Sequence, residues 1–461
     1  MSRKRYTQYM YSYPHKTAYR PLEGLGLSDF ARCLAGPGHS LYLHVPFCET
    51  KCGYCNLFSV TGQNASQMDV YLDTVERQLS QYQEVLSPLG TEFADFTIGG
   101  GTPLLLTTSQ LNRMFAMVRS HLSLADGAQI IIETAPNQTT KEKLGILKEE
   151  GVTRVSMGIQ SFSDKELRTL RRSHSSQKAR ESLSLLKDFG FPCVNIDFIY
   201  GVPGQTVSSL MASLAEAMNS QPDELFLYPL YIKHGVLLEQ DIRTGMVLDE
   251  KLAYEQYREA CAFLKAQGYI QDSMRRFVRA KARRDVAGQD LTGQGLTGQD
   301  LRAFQDCGFG VSLALGCGGR SYLGALHTCS PYGVGQADCL ARLREFENTE
   351  DFTAVRHGFL LSQDEIQRRY VIRHLLILPG LKKSEYCSHF HGEASEDFPI
   401  LAEWVQKGYV RDKGGYLALT PEGMGLSDWL GPQLISPLVQ ARMDEWEEEY
   451  GKANAPLQRQ S

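Results

Sequence analysis

The chain has 461 residues, of which 42% are hydrophobic and 22% charged, and it carries a formal net charge of -5. That length buries a sizeable core and predicts two or three domains, while the mildly acidic balance gives no electrostatic reason to expect nucleic acid or an anionic membrane as a partner. The first residues, MSRKRYTQYMYSYPHK, begin basic and run into tyrosines rather than an apolar stretch, so neither a secretory signal nor a membrane span is expected, and a cytoplasmic location is. Eleven cysteines are too few for a disulfide scaffold in a chain this long, and a close group of them more often serves a metal or catalysis.

In chain order, short apolar runs predict buried strands over 41–45, 93–98, 129–133, 153–158, 193–199 and 224–228. Amphipathic stretches between them, opened or flanked by Ser, Thr or Asp, predict helices over 69–85, 109–121, 140–150, 177–189 and 206–218. Apolar strands alternating with helices make an α/β fold in which a parallel sheet curls into a partial six-unit (β/α) barrel, and functional loops then follow the strand C-termini. Before this barrel, assigned to 40–250, lies an N-terminal arm over 1–39. That arm carries Tyr6, Tyr9, Tyr11 and Tyr13, with His15 and Lys16.

A connecting region follows over 251–350, with a Gly/Gln/Asp/Leu near-repeat at 284–304 read as a flexible insertion. The basic residues Arg275, Arg276, Arg279, Lys281, Arg283 and Arg284 read either as a grip for a carboxylate-rich substrate or, more commonly for such runs, as a solvated helix face. The segment 351–461 predicts a helix over 362–378, another over 401–408, and strands at 409–412 and 416–420, a small winged-helix-like α+β module.

Cys48-Glu49-Thr50-Lys51-Cys52-Gly53-Tyr54-Cys55 places three thiols within eight residues, directly after the first barrel strand. One loop can wrap them round a single centre, and three thiolates leave one iron of a [4Fe-4S] cluster without a protein ligand. A structural zinc site would want a fourth Cys or His, and three unrelated buried thiols are the other plain reading. Gly99-Gly100-Gly101 ends the second strand and lets the backbone approach a ligand that side chains would push away, or simply makes a tight turn. Glu133 closes the third strand, where a carboxylate among apolar residues needs a partner. Gln160 ends the fourth strand, Arg172 follows twelve residues later, and Asp197 lies near the end of the fifth.

Taken together, these motifs resemble the radical S-adenosylmethionine (SAM) superfamily, and within it the oxygen-independent coproporphyrinogen III oxidase-like group, which also holds heme chaperones. The resemblance implies that Cys48, Cys52 and Cys55 bind a [4Fe-4S] cluster, that SAM chelates the open iron, and that an electron from a flavodoxin- or ferredoxin-type donor yields a 5′-deoxyadenosyl radical. It further implies SAM contacts from Gly100, Gly101 and Thr102 to the methionyl amino group, from Glu133, from Gln160 and Arg172, and from Asp197 on the adenosine side. Tyr42 and Tyr54 match aromatic positions beside the cofactor, and Ile199 and Gly201 match contacts to a second SAM. The implied substrate is a tetrapyrrole or another specialised small molecule, undergoing oxidation, decarboxylation or methyl transfer; a heme-trafficking protein that keeps the cluster is the alternative. The sequence departs from the oxidase pattern after Cys55, where Asn56-Leu57-Phe58 stands in place of a further cysteine, and it lacks the His-Asn pair followed by aromatics of the heme chaperones. Cys307, Cys317, Cys329 and Cys339 read as buried neutral thiols rather than a second centre, and Cys387, His389 and His391 as part of an exposed turn.

Overall fold

The computed structural model describes residues 5–10, 12–280 and 310–453. Tyr11, Lys281, Arg283, Arg284, Cys307 and the repeat at 284–304 lie outside the described residues.

Each apolar run becomes a strand of one sheet. Arg20–Gly26 is β1, Pro37–Val45 β2, Glu92–Gly100 β3, Ser123–Thr134 β4, Arg154–Gln160 β5, Cys193–Tyr200 β6 and Glu224–Pro229 β7. Strands β2 to β7 lie side by side in chain order and are all parallel, with Leu43 opposite Ile98, Ile132 opposite Val155 and Ile196 opposite Leu225. These apolar residues are fully buried, as strands covered on both faces must be.

Helices Ala65–Leu86 (α1), Thr108–His121 (α2), Lys141–Glu149 (α3), Ser176–Phe189 (α4) and Val207–Met218 (α5) form the crossovers. Polar caps start three of them: Thr107 and Thr206 accept from the Gln110 and Ser209 N–H groups, and Asn64 accepts from the Gln67 N–H, so that α1 begins at Ala65, ahead of the expected start at 69. In α1 the residues Met68, Tyr71, Leu72, Val75, Leu79 and Leu86 recur at helical spacing, and all are buried.

The sheet continues beyond the six parallel strands, because segments before and after them in the sequence add to it. Tyr269–Gln271 (β8) and Arg276–Arg279 (β9) extend it past β7, while Ser312–Leu315 (β10), Arg320–Leu323 (β11), Leu326–Cys329 (β12) and Ala354–Leu360 (β13) extend it past β2. The order is β1-β13-β12-β11-β10-β2-β3-β4-β5-β6-β7-β9-β8, with β10 parallel to β2 and β1 antiparallel to β13. Helix Gln336–Glu347 (α6) packs on α1.

The C-terminal α/β region carries helices Gln363–Leu375 (α7) and Ile400–Gln406 (α8) and a three-stranded sheet of Leu381–Lys382, Tyr416–Leu419 and Val410–Asp412, in that order, with Trp404 and Tyr386 buried among them. A last helix, Pro437–Ala453 (α9), returns to the arm, where the Arg20 guanidinium donates to the Arg442 carbonyl at 2.7 Å and pairs with Glu445 at 2.8 Å.

The three described members of the basic run, Arg275, Arg276 and Arg279, do not form a helix face. Arg276 and Arg279 lie on β9, with Arg275 directly before it, and Arg275 and Arg276 are buried. Arg275 meets Asp428 at 2.5 Å, Arg276 meets Glu224 at 2.6 Å and Asp272 at 3.1 Å, and Arg279 meets Asp223 at 2.7 Å. Carboxylates of the protein itself answer these charges, as burial requires. Burial also raises the pKa values of Cys317, Cys329 and Cys339, which keeps these thiols neutral. Cys387 is exposed, on the helix Lys383–Phe390.

Candidate cofactor site

Parallel strands deliver all their C-termini to one rim, and there a cavity of about 480 Å³ opens. The loop after β2 forms one wall and carries Cys48, Cys52 and Cys55, all three of which line the cavity. Backbone bonds fix this loop to its neighbours: the Gly53 N–H donates to the Leu170 carbonyl at 2.9 Å, the Leu238 N–H to the Gly53 carbonyl at 2.8 Å, and the Val60 N–H to the Pro46 carbonyl at 2.8 Å. Segment 332–336, in a region with no legible motif, braces it further. The Tyr332 hydroxyl donates to the Asn56 carbonyl at 3.0 Å, and the Lys51 ammonium donates to the Val334 carbonyl at 2.5 Å.

A second brace comes from inside the barrel. His44 on β2 is buried, with Nε2 2.8 Å from the Phe58 carbonyl and Nδ1 3.1 Å from the Tyr42 hydroxyl. Burial lowers its pKa to about 4, so the ring is neutral near pH 7; Nε2–H then donates to Phe58 and Nδ1 accepts from Tyr42. Tyr42 therefore supports the loop through His44, two residues along the same face of β2, and does not line the cavity. Nothing in the sequence singled out His44.

The three glycines are in contact with what they face. At Gly100, where φ is 115°, an added Cβ would stand 2.6 Å from the His44 ring, and at Gly101 it would stand 2.6 Å from the Phe47 carbonyl. The Gly101 N–H donates to Val45 at 2.8 Å and the Thr102 N–H to Phe47 at 2.7 Å, so the ridge Gly100-Gly101-Thr102 is held against the cysteine loop and lines the cavity beside it. The Thr102 hydroxyl is 3.7 Å from Cys48 Sγ. Glu133 reaches across from β4 and accepts from the Gly100 N–H at 3.1 Å.

Gln160, Arg172, Asp197, Ile199 and Tyr54 complete the set of expected residues that the fold brings to this cavity. Arg172 donates to Cys52 Sγ at 3.0 Å and to the Gly158 carbonyl at 2.6 Å. Gln160 sits at the end of β5 with φ at 72°, a strained value for a residue with a side chain. Its Oε1 and the Arg172 Nε are buried without a hydrogen-bond partner among the described residues. Asp197 accepts from the Asn195 amide at 2.9 Å, and that amide also donates to Ser156 at 2.6 Å. Ile199 belongs to a small apolar cluster with Leu170, Val202, Leu230 and Leu238, against which Tyr54 packs. Gly201 is not part of the cavity lining: its N–H donates to Gln256 at 2.9 Å, its φ is 77°, and an added Cβ would stand 3.1 Å from Ala253 Cβ, so it forms the strand-to-helix turn.

Burial pushes the Cys48 thiol up to about 12, with Cys55 and Cys52 adding and Thr102 and Ser59 opposing; burial raises Cys55 likewise. Coordination to iron removes such protons outright. The donor set fits a [4Fe-4S] cluster with SAM: three sulfurs from one loop, a guanidinium on one of them, a glycine ridge beside them, and buried polar atoms in need of partners. Among the described residues no three His, Cys, Asp or Glu side chains stand close enough to hold a single metal ion.

The arm supplies residues that sequence reasoning placed only in outline. Gln8, Tyr9, His15 and Lys16 line the cavity opposite the strand ends, as do Tyr228, Tyr231 and Lys233 from β7 and its following loop. Arm contacts are specific: Tyr9 lies under the Arg275 guanidinium at 3.7 Å, the Gln8 N–H donates to the Asp428 carbonyl at 3.3 Å, and the fully buried Tyr13 hydroxyl bonds Glu365 and receives the Ser436 N–H. Among the described residues no helix is long and apolar enough to cross a membrane.

Comparison with known proteins agrees with this geometry. The family model of the Radical SAM superfamily matches residues 42–217. The heme chaperone HemW of Bacillus subtilis is 30% identical over 391 residues, covering 83% of this chain and 96% of that protein. Oxygen-independent coproporphyrinogen III oxidase of Escherichia coli is 26% identical over 415 residues, covering 87% and 88%. HemW of Mycobacterium tuberculosis is 33% identical over 253 residues, and the match spans 63% of its length. The solved structure of Escherichia coli HemN, a radical SAM coproporphyrinogen III oxidase, superposes with a TM-score of 0.74 at 23% identity, over 95% of this chain and 97% of that one, so the fold is shared. With its three-cysteine loop, glycine ridge and parallel strand rim in the arrangement described, the chain belongs to the radical SAM superfamily, in the group of HemN and HemW.

Proposed function

We propose that this radical SAM enzyme uses the cluster at Cys48, Cys52 and Cys55 to act by hydrogen abstraction on a tetrapyrrole, reduced by a flavodoxin- or ferredoxin-type donor. The observation that carries the reading is the cavity that joins the three thiols and the glycine ridge to a wall of aromatic and cationic side chains, Tyr9, Tyr228, Tyr231, Lys16 and Lys233. Similarity to both a coproporphyrinogen III oxidase and heme chaperones supports a tetrapyrrole as ligand. Bound together, the cluster and SAM supply reductive cleavage of the sulfonium to methionine and a 5′-deoxyadenosyl radical.

The protein's own residues orient and enclose. Arg172 keeps a positive charge against Cys52, and its partnerless Nε together with Gln160 Oε1 suits the carboxylate and ribose of SAM. Glu133, half-buried at the ridge, is placed to accept from an ammonium group, and Asp197, aligned by Asn195, from a hydroxyl. Tyr54 stays a neutral phenol, since burial raises its pKa, and presents a ring beside the thiols. Tyr9 and Gln8 close the chamber against water, which protects a radical from quenching. Ile199 lines the cavity and Gly201 does not, so only half of the pair matched to a second SAM faces the chamber.

Incubating the reconstituted protein anaerobically with SAM, reductant and coproporphyrinogen III tests the proposal. The expected result is 5′-deoxyadenosine production stimulated by the tetrapyrrole, with a tetrapyrrole product of altered mass. S-adenosylhomocysteine in step with that product would assign the reaction as methyl transfer. A tetrapyrrole that binds and is released unchanged, with no effect on SAM cleavage, would move the protein to the heme-trafficking reading suggested by its HemW relatives.

A further inference from the structure

Lys16 and Lys233 reach the cavity from different parts of the chain, the first from the arm and the second from the loop after β7. Both are half-buried. Two other enclosed cations of this region are matched by carboxylates: Arg275 by Asp428, and Arg276 by Glu224 and Asp272. Among the described residues Lys16 and Lys233 meet no carboxylate at ion-pair distance. Lys16 places its ammonium 3.6 Å over the Tyr332 ring, and Lys233 feels Glu447 and Asp428 only at a distance, the latter already held by Arg275 and Tyr231. His15, on the same wall, lies in the field of both lysines and of Arg320. Burial lowers the pKa of Lys16 to about 7 and lowers that of Lys233, the response expected of cations kept from water without a counter-charge. Carboxylates that line the cavity, Glu49, Glu133 and Asp197, are engaged by neighbouring amides and hydroxyls or by the glycine ridge.

We propose that Lys16 and Lys233, with His15 between their fields, seat an oxyanion of the substrate, a carboxylate or a phosphate, on the wall formed by the arm and the loop after β7. The inference rests on the reading of this cavity as a substrate chamber. It gives the arm two roles, since the same segment closes the chamber and holds the substrate by its charged end. Ammonium groups suit this because each presents three donors on a flexible stem and gains most when an anion replaces the water it has lost.

Acetylation of individual lysines in the reconstituted holoenzyme, with SAM present, reads the seat directly by mass spectrometry. Three probes are compared: coproporphyrin III as the free acid, its tetramethyl ester, and inorganic pyrophosphate. The expected result is that the free acid slows labelling of Lys16 and Lys233 about tenfold or more while the ester does not, with the exposed Lys251 labelled equally throughout. Protection by pyrophosphate but by neither porphyrin would keep the seat, assign it to phosphate, and sink the tetrapyrrole reading. Protection by no probe, or equal protection by acid and ester, would overturn the seat itself. K16Q and K233Q should each weaken binding of the protecting anion about tenfold with SAM affinity unchanged; undiminished anion affinity in both would also overturn it.

Discussion

Gly100→Ala is the sharpest perturbation of the ridge. The new Cβ would stand 2.6 Å from His44 Cε1, 2.7 Å from Nε2 and 2.8 Å from Nδ1. The ring cannot step aside cheaply, because Phe58 and Tyr42 hold its two nitrogens and Tyr71 donates to the His44 carbonyl at 2.5 Å. Overpacking of this kind costs about 1–3 kcal/mol. Forcing a side chain onto a backbone with φ at 115° costs about 1–3 kcal/mol more. Together they remove about 2–6 kcal/mol from a native state whose whole stability is of order 5–15 kcal/mol. Urea unfolding under anaerobic conditions measures the loss, and the absorbance of the reconstituted cluster reports whether the adjoining loop survives. Repeating the substitution in a His44→Ala background separates the two causes: the clash disappears and the backbone cost stays, so a coupling of about 1–3 kcal/mol is expected. A cost under about 0.5 kcal/mol, or the same cost in both backgrounds, would refute the claim that His44 packs the ridge into place.

Three further outcomes follow from particular contacts. Arg172→Gln removes the charge-assisted bond to Cys52 and the guanidinium left with a free N–H, so SAM affinity measured by calorimetry should fall at least tenfold, about 1.5–3 kcal/mol; unchanged affinity counts against its role. Deleting residues 1–10 takes Gln8 and Tyr9 from the cavity wall while leaving Tyr13 in place, and should uncouple SAM cleavage from substrate conversion; fully coupled turnover would show that the arm is no lid. His44 and His174 are buried, and burial lowers each pKa to about 4, so the unfolded chain, with histidines near 6.5, takes up the protons more readily. Their contribution is therefore full above pH 6.5 and is lost as pH falls towards 4, by up to about 3 kcal/mol each. Urea midpoints of the metal-free protein at pH 7.5 and 5.0 should show this decline, and His174→Asn should flatten it; equal midpoints would contradict it.

The parallel core was legible because its strands are apolar runs buried on both faces, and its helices carry caps in the sequence: Asn64, Thr107 and Thr206 stand where the chain turns into α1, α2 and α5. What stayed hidden depends on distant pairing. Strands β10 to β12 are four residues each, in a stretch rich in glycine and cysteine, and become strands by adding to the edge at β2. Arg275 and Arg276 read as surface charge because their partners Asp428 and Glu224 lie 153 and 52 residues away. In the site, the loop, ridge and strand-end residues share one cavity because each lies in the last residues of a parallel strand or in the loop after it. Tyr42 was read as a cofactor neighbour, yet its hydroxyl serves His44, a residue with no motif of its own whose job shows only once Gly100 and Phe58 surround it. Lys233 is likewise one lysine in a loop until the fold sets it across from the arm.

Anaerobic reconstitution with iron and sulfide, reduction in the presence of SAM, and quantitation of 5′-deoxyadenosine test the central claim most directly, with Cys48→Ala, Cys52→Ala and Cys55→Ala alongside. The wild type should hold a cluster of four irons per chain and yield 5′-deoxyadenosine, and each variant should lose both. A wild-type cluster that never cleaves SAM, or one that survives any of the three substitutions with cleavage intact, would contradict it.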